Sequence, residues 1–99
     1  MERVVDVVPD AGLHARPASA FVRTVSQYDA TVTVGRADDG PEGAVEANSM
    51  LAVTGLGVEG GESVRIVAEG PDASEALDAL EAVVTTPVED DGDEDGGEG

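Results

Sequence analysis

Two apolar stripes of helical period interrupt a series of β-branched runs, and this change of period constrains the fold more than any other feature of the chain. Val4-Val5-Asp6-Val7-Val8 reads as a first strand closed by Pro9, followed by a turn at Asp10-Ala11-Gly12. From Pro17 the period becomes that of a helix. Ala18, Phe21, Val22 and Val25 share one face, Arg23, Thr24 and Gln27 the other, and the helix is expected to end near Tyr28-Asp29. Pro17 suits the first helical position. Thr31-Val32-Thr33-Val34 alternates as a half-buried strand, residues 36–43 form a polar hairpin loop, and Ala44-Val45-Glu46-Ala47 is its short return strand. Asn48-Ser49 caps a short helix over Met50-Leu51-Ala52-Val53, stopped at Gly55-Leu56-Gly57. After a turn at residues 59–62, Ser63 to Ala68 is a strand. Asp72 with Glu75 then opens a last helix as a capping box, and Ala73, Ala76, Leu77, Leu80, Val83 and Val84 make its apolar stripe.

The order is βαββαβα. Strands that alternate need one covered face, and the helices supply the cover. The expected fold is α+β, a four-stranded, mostly antiparallel sheet with three helices packed on one side. With 99 residues the chain has room for one core, removing about 60–65% of the unfolded surface from water, and no room for a deep cleft between domains. We assign residues 1–88 to that domain. Beyond Pro87 the sequence holds only Val, Glu, Asp and Gly, so residues 89–99 are expected to be a disordered acidic tail.

Composition removes several classes of function. With no cysteine and one histidine, disulfides, thiolate chemistry and clustered imidazole ligands are excluded, and neither metal nor cofactor is expected. No stretch approaches the ~20 apolar residues of a membrane span, and the first residues lack the apolar run of a signal peptide, so a cytoplasmic location is expected. Twenty-two acids against five bases give a net charge of −17; all five bases are arginines. Seven of the acids lie in residues 89–99, leaving a net of −10 on residues 1–88. Such a surface disfavours nucleic acid and anionic lipid as partners. The acid excess without lysine resembles the proteins of salt-in halophiles.

Chemistry concentrates in Gly12-Leu13-His14-Ala15-Arg16-Pro17-Ala18, between the first strand and the first helix. A helix N-terminus offers unpaired N–H groups and the positive end of its dipole, a ready site for an anion. The residues just ahead of Pro17 are Ala15 and Arg16, neither with a side-chain acceptor to act as a cap. The backbone N–H groups of Ala15, Arg16 and Ala18 are therefore assigned to an external phosphate. His14 stands beside them. A neutral imidazole is competent to attack phosphorus, the helix dipole favours the neutral form, and Arg16 can balance the phosphoryl oxygens. Read from the residues alone, this is an anion site with a candidate nucleophile; a solitary histidine is as readily a solvated or capping residue.

The same seven residues resemble the active-site signature of HPr, the histidine phosphocarrier family of the phosphoenolpyruvate-dependent sugar phosphotransferase system. Asn48-Ser49-Met50-Leu51-Ala52-Val53-Thr54-Gly55-Leu56-Gly57 resembles that family's second landmark, a regulatory-site serine with a short helix. The resemblance covers about residues 2–86 and implies an HPr-like open-faced β-sandwich. It further implies that His14 accepts a phosphoryl group through Nδ1 from Enzyme I and passes it to an EIIA-type protein. Arg16 would be the phosphate-binding arginine, Pro17 the helix start, and Met50 and Leu51 the apolar patch for docking partners. Ser49 is then a possible regulatory phosphosite, although capping the Met50 helix accounts for it fully. Asn48 stands where many relatives carry lysine, and the 36–43 loop is longer than usual.

On this reading the protein is a monomeric covalent carrier and not an enzyme. Two rivals keep the same histidine: a regulatory protein whose phosphorylation state is read by a kinase or transcription factor, and a donor to a dihydroxyacetone kinase. A third rival is an acidic adaptor in which the motif has no role.

Overall fold

The computed structural model describes residues 1–8, 12–13 and 15–86. Seven elements follow the expected order: β1 (Glu2–Asp6), α1 (Ala15–Val25), β2 (Thr31–Arg36), β3 (Val45–Glu46), α2 (Met50–Gly55), β4 (Ser63–Glu69) and α3 (Ala73–Thr85). The four strands form one antiparallel sheet in the order β1-β4-β2-β3. The three helices cover one of its faces. On β4 the alternation is complete: Val64, Ile66 and Ala68 point into the core, with Arg65 and Val67 on the other face. Val5, Val32 and Val34 enter from the neighbouring strands, and Phe21, Leu77, Leu80 and Val84 close the core from α1 and α3. Val4, 52% exposed and opposite Arg65, marks the uncovered face.

Several boundaries differ from expectation, each for a physical reason. β1 ends at Asp6 instead of Val8, because the next two residues take other partners. The Val7 N–H donates to the Glu62 carbonyl at 2.7 Å, and the Val8 N–H leaves the sheet for the Val84 carbonyl of α3 at 2.9 Å. α1 begins at Ala15, so Pro17 is its third residue and not its first. Proline is tolerated there because a first-turn N–H has no helical acceptor in any case. α1 also ends early, at Val25. Its last turn tightens, with Gln27 bonding back to Thr24 and Tyr28 to Val25, as helix ends commonly do. The 36–43 loop folds into two turns of 3-10 helix, over residues 37–39 and 41–43.

The capping box expected of Asp72 and Glu75 does not form. Asp72 makes no side-chain cap, because its Oδ2 accepts the Asp29 N–H at 2.8 Å while its own N–H donates to the Asp29 carbonyl at 3.1 Å. The carboxylate fastens the entrance of α3 to the loop ahead of β2.

Candidate functional site

The segment leading into α1 is anchored from below. Gly12 has φ +73°, a left-handed conformation that favours glycine, and it turns the chain toward the loop at Val58. The Leu13 N–H donates to the Val58 carbonyl at 3.0 Å, and the Leu13 side chain is fully buried. His14 itself lies outside the described residues.

The helix start defines which donors are available. With Ala15 first, the N–H groups of Ala15 and Arg16 have no intrahelical acceptor, and Pro17 has no N–H at all. Ala18 becomes the fourth helical residue, whose N–H belongs to the helical ladder. Its methyl group is buried in the core. The expected set of three backbone donors therefore narrows to two.

Arg16 is exposed, and among the described residues it makes no ion pair. Three other arginines are committed. Arg3 binds Asp78 and Glu81, both at 2.8 Å; Arg36 binds Glu62 at 2.6 Å; Arg65 binds Glu2 at 3.3 Å. Arg23 donates to Ser19 Oγ at 3.4 Å and likewise makes no ion pair among the described residues, so what distinguishes Arg16 is its place. It stands at a helix N-terminus, where its charge adds to the dipole. Arg16, Pro17 and Ala20 also form one wall of a groove of about 390 Å³, whose other wall is Ala82, Val83 and Thr86 at the end of α3. Sequence reasoning did not find this second wall, nor the Val58 carbonyl under Leu13. A backbone acceptor leaves no mark in the sequence.

The second landmark is organised by a cap. Ser49 Oγ accepts the Ala52 N–H at 3.2 Å, starting α2 as expected. Within α2, Val53 is fully buried and anchors the helix to the core. Met50 and Leu51 face outward, 40% and 84% exposed. A leucine that exposed has no role in the core.

Arg36 fastens the segment from Gly57 to Glu62 that leads into β4. Its Nη1 donates to the Gly57 carbonyl at 3.2 Å and its Nη2 pairs with Glu62. Glu62 also accepts the Glu59 N–H at 2.9 Å. That backbone donor first, and Arg36 second, hold the Glu62 carboxyl below its usual range. Among the described residues no helix is long and apolar enough to cross a membrane.

This open-faced α+β sandwich carries, at the N-terminus of its first helix, an arginine with no ion pair among the described residues, and an apolar tip on its second, an arrangement that fits a protein of the phosphocarrier class. Comparison with known proteins gives the particular family. The family model for the PTS HPr component phosphorylation site matches residues 1–86. The chain is 63% identical over 87 residues to the phosphocarrier protein HPr of Haloferax volcanii, covering 88% of this chain and 96% of that one. It is 44% identical over 89 residues to the HPr of Streptomyces coelicolor, covering 90% and 92%. Among solved structures, HPr-C-His from Thermoanaerobacter tengcongensis superposes with a TM-score of 0.77 at 34% identity, covering 85% of this chain and 90% of that chain. The chain belongs to the HPr family of the phosphotransferase system.

Proposed function

We propose that this protein accepts a phosphoryl group on Nδ1 of His14 from a phosphorylated Enzyme I and donates it to an EIIA-type protein in sugar uptake. The lone pair of the neutral imidazole attacks phosphorus as the donor's bond to phosphorus breaks, so the group moves without being released to water. The guanidinium of Arg16 and the N–H groups of Ala15 and Arg16 balance the charge on the phosphoryl oxygens through a loose transition state. Pro17 keeps one more N–H out of the first turn. Met50 and Leu51 serve as the apolar contact with both partners. The protein is modified once per transfer and is a carrier, not an enzyme; it works as a cytoplasmic monomer. Ser49 is read as a helix cap.

The observation that most supports this reading is the exposed Arg16 at the start of α1, two residues past His14 in a segment anchored by Leu13. The test is incubation of the purified protein with phosphoenolpyruvate and its cognate Enzyme I in high KCl, beside His14→Ala. Intact mass is expected to show one phosphoryl group on the parent, labile in acid and stable in base, and none on the variant. Equal labelling of both proteins would remove His14 as the acceptor.

A further inference from the structure

The face of the sheet that the helices leave open is not bare along its whole length. After β2 the chain folds back over it, and Gly35 makes the crossing possible. A Cβ there would stand 3.0 Å from the Ala44 Cα. Between the returning loop and the strands lies a recess of about 470 Å³. Thr33, Gly35, Arg65 and Val67 form its floor, and Glu2 on β1 and Ala44 on the loop complete the lining. The register puts Glu2, Thr33, Arg65 and Val67 on the same face, opposite the helices.

Arg65 is the residue of this recess whose bonding the fold leaves incomplete. Glu2 Oε2 meets its guanidinium at Nε, 3.3 Å away. Nη1 is shielded from solvent and, alone among the buried side-chain nitrogens and oxygens of the described residues, has no hydrogen-bond partner in the protein. A buried donor without an acceptor destabilises the fold, and an acceptor brought to it removes that cost. The other arginines differ. Arg3 and Arg36 donate through Nη atoms to carboxylates, and Arg16 and Arg23 are exposed, where water supplies acceptors.

We propose that the recess binds the carboxylate of a small organic acid, on the Nη1 and Nη2 edge of Arg65, with the carbon chain of the acid against Val67 and Ala44. The two oxygens of a carboxylate match the two nitrogens of that edge, the one Glu2 does not use. The Thr33 hydroxyl stands in the same recess as a further donor. A volume of this size suits a small organic molecule better than a bare ion. Glu2 already balances the charge of Arg65, so one carboxylate is accepted and a second is repelled. At molar salt the screening length is about 3 Å, so the acidic surface does not keep the ligand away, while bonds in contact persist. The site lies on the face opposite α1 and stands apart from the phosphoryl chemistry.

The test is an amide chemical-shift titration of the full chain in molar KCl at constant ionic strength, with potassium propionate and, separately, alanine. The amides of Thr33, Gly35 and Val67 are expected to follow one saturating curve, half complete at about 10 mM or below. Ala20 and Leu51, on the helices, are expected to stay still. Arg65→Gln is expected to weaken binding about tenfold. Val67→Phe keeps every charge but fills the recess, and is expected to weaken it as much. Arg23→Gln is expected to bind like the parent. Tighter propionate assigns the site to simple monocarboxylates; tighter alanine assigns it to amino acids, whose ammonium group Glu2 can meet. Shifts that stay linear with both ligands leave water as the partner of Nη1 and overturn the proposal. A half-saturation unchanged in Arg65→Gln or in Val67→Phe overturns it as well.

Discussion

Gly12 and Val58 approach so closely that no side chain fits between them: a Cβ on Gly12 would stand 2.0 Å from the Val58 carbonyl oxygen. The same oxygen accepts the Leu13 N–H. Gly12→Ala must therefore break the anchor or move the 58–59 backbone, and alanine pays for the left-handed φ as well. A loss of about 3 kcal/mol is expected, read as a lower urea midpoint with an unchanged slope. Because the anchored Leu13 directly precedes His14 in the chain, phosphoryl acceptance is expected to fall even at temperatures where the variant is folded. A variant with parental midpoint and parental labelling would show that the anchor is dispensable.

The Glu62 carboxylate gives a pH dependence of known sign. Its pKa in the fold is below the ordinary value of 4.5, so the fold favours the ionised form. The stabilisation is complete above that ordinary value and is lost as pH falls through the lowered one. Glu62→Gln is expected to lower Tm at pH 7, with the difference from the parent narrowing below about pH 4.5. Thermal unfolding of both proteins from pH 7 to pH 3 checks this. A constant difference would assign the effect to packing instead.

How much of this was legible in the sequence depended on how local each feature is. The stripes of α1 and α3 and the alternation of β4 appeared because a period needs only the side chains themselves. The Ser49 cap appeared because its donor, the Ala52 N–H, is three residues away. The strand order was not legible, since β4 inserts between β1 and β2 only when the helices pack. Asp72 read as a helix cap until Asp29, 43 residues away, supplied a competing donor. In the same way, that Arg16 pairs with no described residue follows from where the acids of β1, β4 and α3 fall in space. The Arg3 partners are 75 and 78 residues away in the chain.

Ser49→Ala removes the only side-chain cap of α2 and is expected to cost about 1 kcal/mol. Ser49→Asp keeps an acceptor at the cap and is expected to recover most of that loss. Phosphoryl acceptance under saturating Enzyme I is expected to be unchanged in Ser49→Ala, which adds no charge beside Met50. Denaturation midpoints with parallel labelling assays test the pair. A stability unaffected by alanine would leave Ser49 without its capping role and reopen a regulatory one.

Leu51 separates docking from folding. It is 84% exposed, so Leu51→Ser is expected to alter stability by no more than about 0.5 kcal/mol. If the side chain is a contact with partners, the second-order rate of phosphoryl transfer falls about tenfold, equivalent to about 1.4 kcal/mol. Midpoint and rate measured on the same preparation decide it. An unchanged rate with either partner would move the docking surface away from the tip of α2.

Salt acts on this protein through two opposed effects. It weakens the ion pairs of Arg3, Arg36 and Arg65, and it screens the mutual repulsion of the acids. The ion pairs are exposed or half exposed, and each contributes about 0–1 kcal/mol. The repulsion arises from a net charge of −17, summed over many separations longer than the screening length of about 3 Å at molar salt. Screening is therefore the larger effect, and stability is expected to rise by about 2 kcal/mol or more between 0.1 and 2 M KCl. Urea midpoints across that range provide the measurement. A flat or falling midpoint would mean that the ion pairs prevail, and that the acidic surface is not an adaptation to salt.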